Sequence, residues 1–163
     1  MIRTYNLELD AEMHPVLVVA EEYDYCVDES RLDTPEKTVK LMNTCFHLGK
    51  KAEEYVYAIS VDQNMHPLDI FQISHGTATY SLLNPRELLI RMLLSGGTQY
   101  FLIHNHPSCS SGMSLPTPSD ADQMITERIE EVCRMAGIRM VDHIIIGGDV
   151  YYSFKKSMPE MFA

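Results

Sequence analysis

Two short stretches hold the residue types that could do chemistry: His104-Asn105-His106-Pro107-Ser108, and Pro118-Ser119-Asp120-Ala121-Asp122. Side chains two apart on a strand project from one face, so His104 and His106 can offer two imidazoles to one ion. Asp122, near the first turn of a following helix, supplies a third ligand if the loop between them folds back. Two neutral imidazole nitrogens and one carboxylate oxygen suit a single Zn2+ at roughly 2.0–2.2 Å and leave a fourth position for water, which is the pattern of a catalytic zinc. That water needs a proton acceptor that does not ligate the ion. Glu54 is the candidate general base, taking a proton from the water and returning it to a leaving amine. Its neighbour Glu53 is the alternative, because a one-residue slip exchanges the two faces of a strand. Ser119 has two readings: a hydroxyl donor to the oxyanion or the water, or a helix cap.

The surrounding pattern supplies the elements that must position these groups. Tyr5 to Asp10 alternates and Val16 to Ala20 is a short apolar run, so both read as strands. Glu21 to Asp33 carries six acids against one base and reads as a linker. Thr34-Pro35-Glu36 opens a helix that Gly49 is placed to stop. Tyr55 to Val61 and Leu68 to Ser74, joined by Asp62-Gln63-Asn64, form a hairpin, with Glu54 at its start. Asn84-Pro85-Arg86-Glu87 opens a second helix through Leu94, ended by Gly96-Gly97. The apolar strand Tyr100 to Ile103 runs into the histidines. Thr117-Pro118 starts a helix to about Ala136, and Val141 to Ile146 with Val150 to Phe154 closes the pattern as a hairpin. The expected fold class is α/β, one domain with a mixed, largely antiparallel sheet flanked by helices.

The chain has 163 residues, 13 basic against 23 acidic, for a net charge of −10. That length suits one domain, and 45% hydrophobic with 22% charged residues is an ordinary globular composition. No apolar run approaches a membrane span, and Met1 to Pro15 lacks the apolar stretch of a signal peptide. The acid excess disfavours unspecific DNA or RNA binding, which draws its affinity from Lys and Arg. Cys26, Cys45, Cys109 and Cys133 form no C-x-x-C pair, which disfavours a thiolate zinc site and fits a cytoplasmic protein with reduced thiols.

At the chemistry-bearing residues the sequence resembles the JAMM (MPN, JAB1-type) metalloproteins, and within them the bacterial RadC-like group. The family pattern is an upstream Glu, then H-x-H, seven residues, Ser, two residues and Asp. Glu54, His104, His106, Ser119 and Asp122 match it by type and order. Asn84 to Glu87 resembles the group's helix start, and Gly137-Ile138 through Asp142-His143-Ile144-Ile145-Ile146-Gly147 its closing strand. The resemblance covers about Thr34 to Phe154. It implies a JAMM/MPN-like (deaminase-like) fold over 34–154, with N-terminal strands and an acidic linker-like segment over 1–33 and a tail over 155–163. It also implies a zinc-dependent hydrolase of peptide or isopeptide bonds, acting on a peptide or protein substrate. The rivals are a DNA repair or processing role of RadC type and a non-catalytic MPN-type scaffold.

Two departures stand out. Twelve residues, Pro107 to Pro118, separate His106 from Ser119 where the family has seven, and Cys109 replaces the usual Gly. A Ser, Gly and Pro rich insertion suits a surface loop, and Cys109 to Pro116 reads either as a lid bordering the cleft or as a passive loop. The first 33 residues are also too short and acidic for the helix-hairpin-helix domain often found in the group. Other histidines invite bland readings: His143 as a buried core histidine rather than a partner of the ligands, and His14, His47, His66 and His75 with no role. The contiguous letters His-Asn-His are not the dispersed set of an HNH nuclease, and the H-x-E with P-C-x-x-C of a zinc deaminase is absent.

Overall fold

Tyr100 to Asn105 is buried without a break, as a strand must be when it lies mid-sheet with helices on both faces. In the computed structural model, which describes residues 1–25, 31–76, 83–109 and 114–163, this strand is β5 (Gln99–Asn105) of a seven-stranded sheet. Before it come β1 (Ile2–Leu9), β2 (Pro15–Tyr23), α1 (Pro35–Phe46), β3 (Tyr55–Val61), β4 (Pro67–His75) and α2 (Pro85–Ser95). After it come α3 (Asp120–Met135), β6 (Arg139–Gly147), β7 (Val150–Ser153) and the short α4 (Phe154–Ser157). The strand order is β2-β1-β4-β3-β5-β6-β7. Among the described residues only β1·β4 and β5·β6 are parallel pairs, so the sheet is mixed and mostly antiparallel, as expected.

Alternation along β5 decides which residues face which layer. Phe101 and Ile103 join the core beneath α1 with Val39, Met42 and Phe46, whereas Tyr100 and Leu102 pack under α2 and α3 with Leu88, Met92, Ile125 and Ile129. Carried on by the same period of two, His104 and His106 face the α2/α3 side and Asn105 faces the other. The β5–α3–β6 crossover then brings the first turn of α3 back to the end of β5, because a helix joining parallel strands starts over their C-terminal edge.

Several boundaries depart from the sequence expectation, each for a physical reason. The supposed linker begins as strand: β2 runs to Tyr23, with Glu22 paired to Arg3 at 2.7 Å across β1. An exposed edge strand accepts charge on both faces, so the acids did not exclude a strand. Leu32 is buried, and its N–H donates to the Met65 carbonyl at 2.8 Å; residues 26–30, including Cys26, lie outside the described residues. The α3 helix starts at Asp120 rather than at Thr117-Pro118, because the side-chain cap is Ser119. Phe154 belongs to α4, not to the last strand: Ser153 caps that turn through Lys156 N–H at 3.1 Å, and Asp142 accepts from Ser153 Oγ at 2.5 Å.

The α1 helix stops at Phe46, where His47 takes the left-handed conformation that Gly49 was expected to supply. Gly49 is needed for a different reason. A Cβ there would lie 2.2 Å from the Gly148 carbonyl oxygen, and Asn43 bridges the two backbones, accepting from Gly49 N–H at 2.8 Å and donating to Gly148 O at 3.0 Å. Gly49→Ala is therefore expected to destabilise the fold by about 1–3 kcal/mol, the usual range for overpacking. Urea unfolding checks this, and an unchanged midpoint would show that the contact relaxes freely. Among the described residues no helix is long and apolar enough to cross a membrane.

Candidate metal centre

His104, His106 and Asp122 come together at the end of β5, their ligand atoms all within 4.8 Å of one another. His104 Nε2 lies 3.0 Å from His106 Nε2 and 3.0 Å from Asp122 Oδ1, and His106 Nε2 lies 3.6 Å from Asp122 Oδ2. Three donors placed tetrahedrally around one zinc at roughly 2.0–2.2 Å are about 3.3–3.6 Å apart; the two contacts of His104 Nε2 are close to that spacing, while the 3.6 Å contact of His106 is to the second carboxylate oxygen. His104 and Asp122 are 1% and 0% exposed, and a buried carboxylate beside two imidazoles is favourable when a cation neutralises it. The donor set therefore fits a divalent metal.

Asp122 is fixed by its place in the helix. Ser119 N–H and Oγ–H both donate to Asp122 Oδ2, each at 2.6 Å, while Ser119 Oγ accepts from Asp122 N–H at 3.2 Å. This reciprocal cap satisfies N-terminal donors and holds one carboxylate oxygen, leaving Oδ1 toward the imidazoles, while the helix dipole favours a negative charge in the first turn. The capping reading of Ser119 is thus what the structure displays. Its one hydroxyl proton goes to Asp122, so the donor role toward a substrate oxygen would require that proton to be redirected.

Burial pulls His106 below the ordinary imidazole pKa, with His104 adding to the effect. The ring therefore stays neutral, with a lone pair available to a metal, at neutral pH. His104 does not stand alone on its strand: its Nδ1 is 2.8 Å from His143 Nε2 on β6. Sequence reasoning left His143 in the core, and it is fully buried. The available signal was the parallel β5·β6 pairing, which sets His143 beside Leu102 and so next to His104 on the same face.

Glu54 sits just before β3. The β3·β5 register pairs Val56 with His104; continued two residues past that pair, it would set Glu54 opposite His106 and, by the period of two, on the histidine side. The neighbouring ladder also reaches it, with Gly76 N–H donating to the Glu54 carbonyl at 3.0 Å. Glu53 goes the other way: its carboxylate lies 2.5 Å from His75 Nε2, and its side chain is largely exposed. Glu53 is thus engaged on the outer side of the hairpin.

Asn105, between the two histidines, points to the opposite face and ties down the Glu54 segment. It accepts from Tyr55 N–H at 2.8 Å and donates to the carbonyls of Glu53 at 3.0 Å and Lys51 at 3.5 Å. No sequence signal marked it beyond its place in the motif. Asn105→Ala would remove hydrogen bonds to three part-buried backbone groups, at roughly 0.5–1.5 kcal/mol each. The expected result is a lower urea midpoint with zinc content retained, and an unchanged midpoint would mean that water replaces the amide.

The flanks of the inserted loop are anchored on β6. Cys109 N–H donates to the His106 carbonyl at 3.0 Å, and a Cβ on Gly147 would meet Cys109 Cβ at 2.7 Å and Pro116 Cδ at 3.3 Å. Residues 110–113, at the heart of the expected lid, lie outside the described residues.

A mixed sheet with a βαβ crossover that joins two strand histidines to a helix-capping aspartate defines a JAB-type domain. The chain belongs to the RadC-like JAB domain family, whose profile matches residues 32–159. It is 30% identical over 155 residues to a UPF0758 protein of Streptococcus gordonii, covering 95% of this chain and 64% of that protein. It is 35% identical over 150 residues to one of Streptococcus agalactiae serotype III, covering 92% and 60%. A UPF0758 protein of Thermotoga maritima is 30% identical over 125 residues, covering 75% and 54%. The chain thus spans less than two thirds of the length of these relatives.

Proposed function

We propose that the protein is a zinc-dependent hydrolase of amide bonds, a peptidase or isopeptidase, with His104, His106 and Asp122 as the metal ligands and Glu54 as the proton acceptor. The observation that carries this reading is the buried histidine–histidine–aspartate cluster; Glu54 is assigned its role by continuing the β3·β5 register beyond Val56 and His104. When bound, zinc supplies Lewis acidity toward water and toward an acyl carbonyl. Glu54 takes a proton at its carboxylate and returns it to the leaving nitrogen. Ser119 keeps Asp122 in its ligating rotamer, and burial of His104 and Asp122 excludes competing solvent on the protein side of the ion. A polypeptide substrate is favoured over nucleic acid by the net charge of −10. The free thiols of Cys45, Cys109 and Cys133 support a cytoplasmic setting.

Metal analysis of the purified protein followed by parallel peptide-library and nuclease assays tests the proposal. Chelator-sensitive peptide cleavage is the expected result. Chelator-sensitive cleavage of DNA with none of peptide would replace this reading by the DNA-processing one, and neither activity in the zinc-loaded protein would favour a scaffold.

A further inference from the structure

Thr126 and His143 are fully buried and belong to no ligand set, yet they join one proposed ligand to another. Thr126 Oγ1 is 2.6 Å from the carbonyl oxygen of Asp122, one turn back in α3, and 2.6 Å from His143 Nδ1. A carbonyl can only accept, so the single hydroxyl proton of Thr126 lies toward Asp122. The hydroxyl then presents a lone pair to His143 Nδ1, which must carry a hydrogen. His143 is completely buried, and its two ring nitrogens meet a hydroxyl and an imidazole rather than a carboxylate, an environment that favours the uncharged ring with one N–H. Its Nε2 is therefore an acceptor, and His104 Nδ1, 2.8 Å away, is the donor.

We infer that Thr126 and His143 are positioning residues, forming a chain of fixed polarity from the Asp122 carbonyl that holds a hydrogen on His104 Nδ1 and so directs Nε2, toward Asp122 and His106, to serve as the metal-binding nitrogen. The chain couples the helix carrying one proposed ligand to the strand carrying the other two, so His104 is set for a cation before any cation arrives. Outer partners of metal-bound histidines commonly fix tautomer and ring orientation in this way. The significance of the lone pair for metal rests on the proposed ligand set; the tautomer assignment does not.

Nitrogen-15 histidine spectra of the metal-free protein, with peaks assigned by single histidine variants, read the tautomers directly. His104 and His143 are both expected to be protonated on Nδ1. Thr126→Val keeps the side-chain shape but removes the acceptor for His143 Nδ1–H. His143 can then carry its proton on Nε2, and His104 is expected to shift toward Nε2 protonation with zinc affinity falling ~10–100-fold. Thr126→Ser, which restores the hydroxyl, is expected to recover both. Nε2 protonation of His104 in the wild-type protein, or wild-type zinc affinity and tautomers in Thr126→Val, would overturn the inference. If the valine variant fails to fold, the wild-type spectrum decides alone. Zinc binding with the expected tautomers but no peptide cleavage would support the chain and defeat the hydrolase reading.

Discussion

His106→Ala and Asp122→Ala are expected to abolish zinc binding, with affinity falling by more than the ~100-fold that loss of an outer partner can cause. Each removes one of three protein donors, and the remaining pair cannot enclose an ion. The two variants differ in what else they lose. His106 is partly exposed and caps nothing, so its removal should leave the stability of the metal-free fold nearly unchanged. Asp122→Ala also breaks the reciprocal cap with Ser119, a loss of about 1 kcal/mol for a typical cap, set against the removal of a buried carboxylate. Asp122→Asn separates these effects, since the amide oxygen still accepts from Ser119 while the charge that attracts the cation is gone. Thermal unfolding with and without zinc gives the readout. Wild-type protein at a free zinc concentration ~100-fold above its dissociation constant gains about 2.7 kcal/mol, and the alanine variants should gain nothing. Equal zinc stabilisation of wild type and both variants would place the ion elsewhere.

The histidine–histidine–aspartate cluster was legible because its residues lie close in sequence and each carries its own local signal. The alternation of His104 and His106 on a strand and the Ser-x-x-Asp spacing at a helix start are short-range patterns, and the βαβ crossover converts them into proximity. The central sheet was legible for a related reason, since Tyr100 to Ile103 and Ile144 to Ile146 are short apolar runs. Groups whose meaning depends on pairing between distant strands were not legible. His143 is 39 positions from His104, and only the parallel register shows that they touch. Asn105 bonds backbone groups 50 or more positions away, and nothing in the amide side chain announces that partner. The edge strand failed differently: Glu21 and Glu22 weigh against a strand by propensity, but cross-strand pairing and exposure at the sheet margin override a weak local preference.

Glu54→Gln is expected to retain zinc and lose turnover by ~10²–10⁴-fold, the usual contribution of a positioned general base. The amide has nearly the volume of the carboxylate, and the backbone on either side stays held by Asn105 and by Gly76 N–H. The ligand cluster therefore keeps its geometry, and only the proton acceptor is lost. Glu53→Gln is the matched control: the neighbouring acid pairs with His75 on the outer side of the hairpin, so its substitution should alter neither metal content nor rate. Zinc content by elemental analysis and kcat on any peptide the wild-type protein cleaves separate the outcomes. Loss of zinc from Glu54→Gln would make Glu54 a fourth ligand and close the position left for water. Full turnover in Glu54→Gln with loss in Glu53→Gln would mean that the pleat does not continue past Tyr55 and that the exposed acid turns inward when substrate binds.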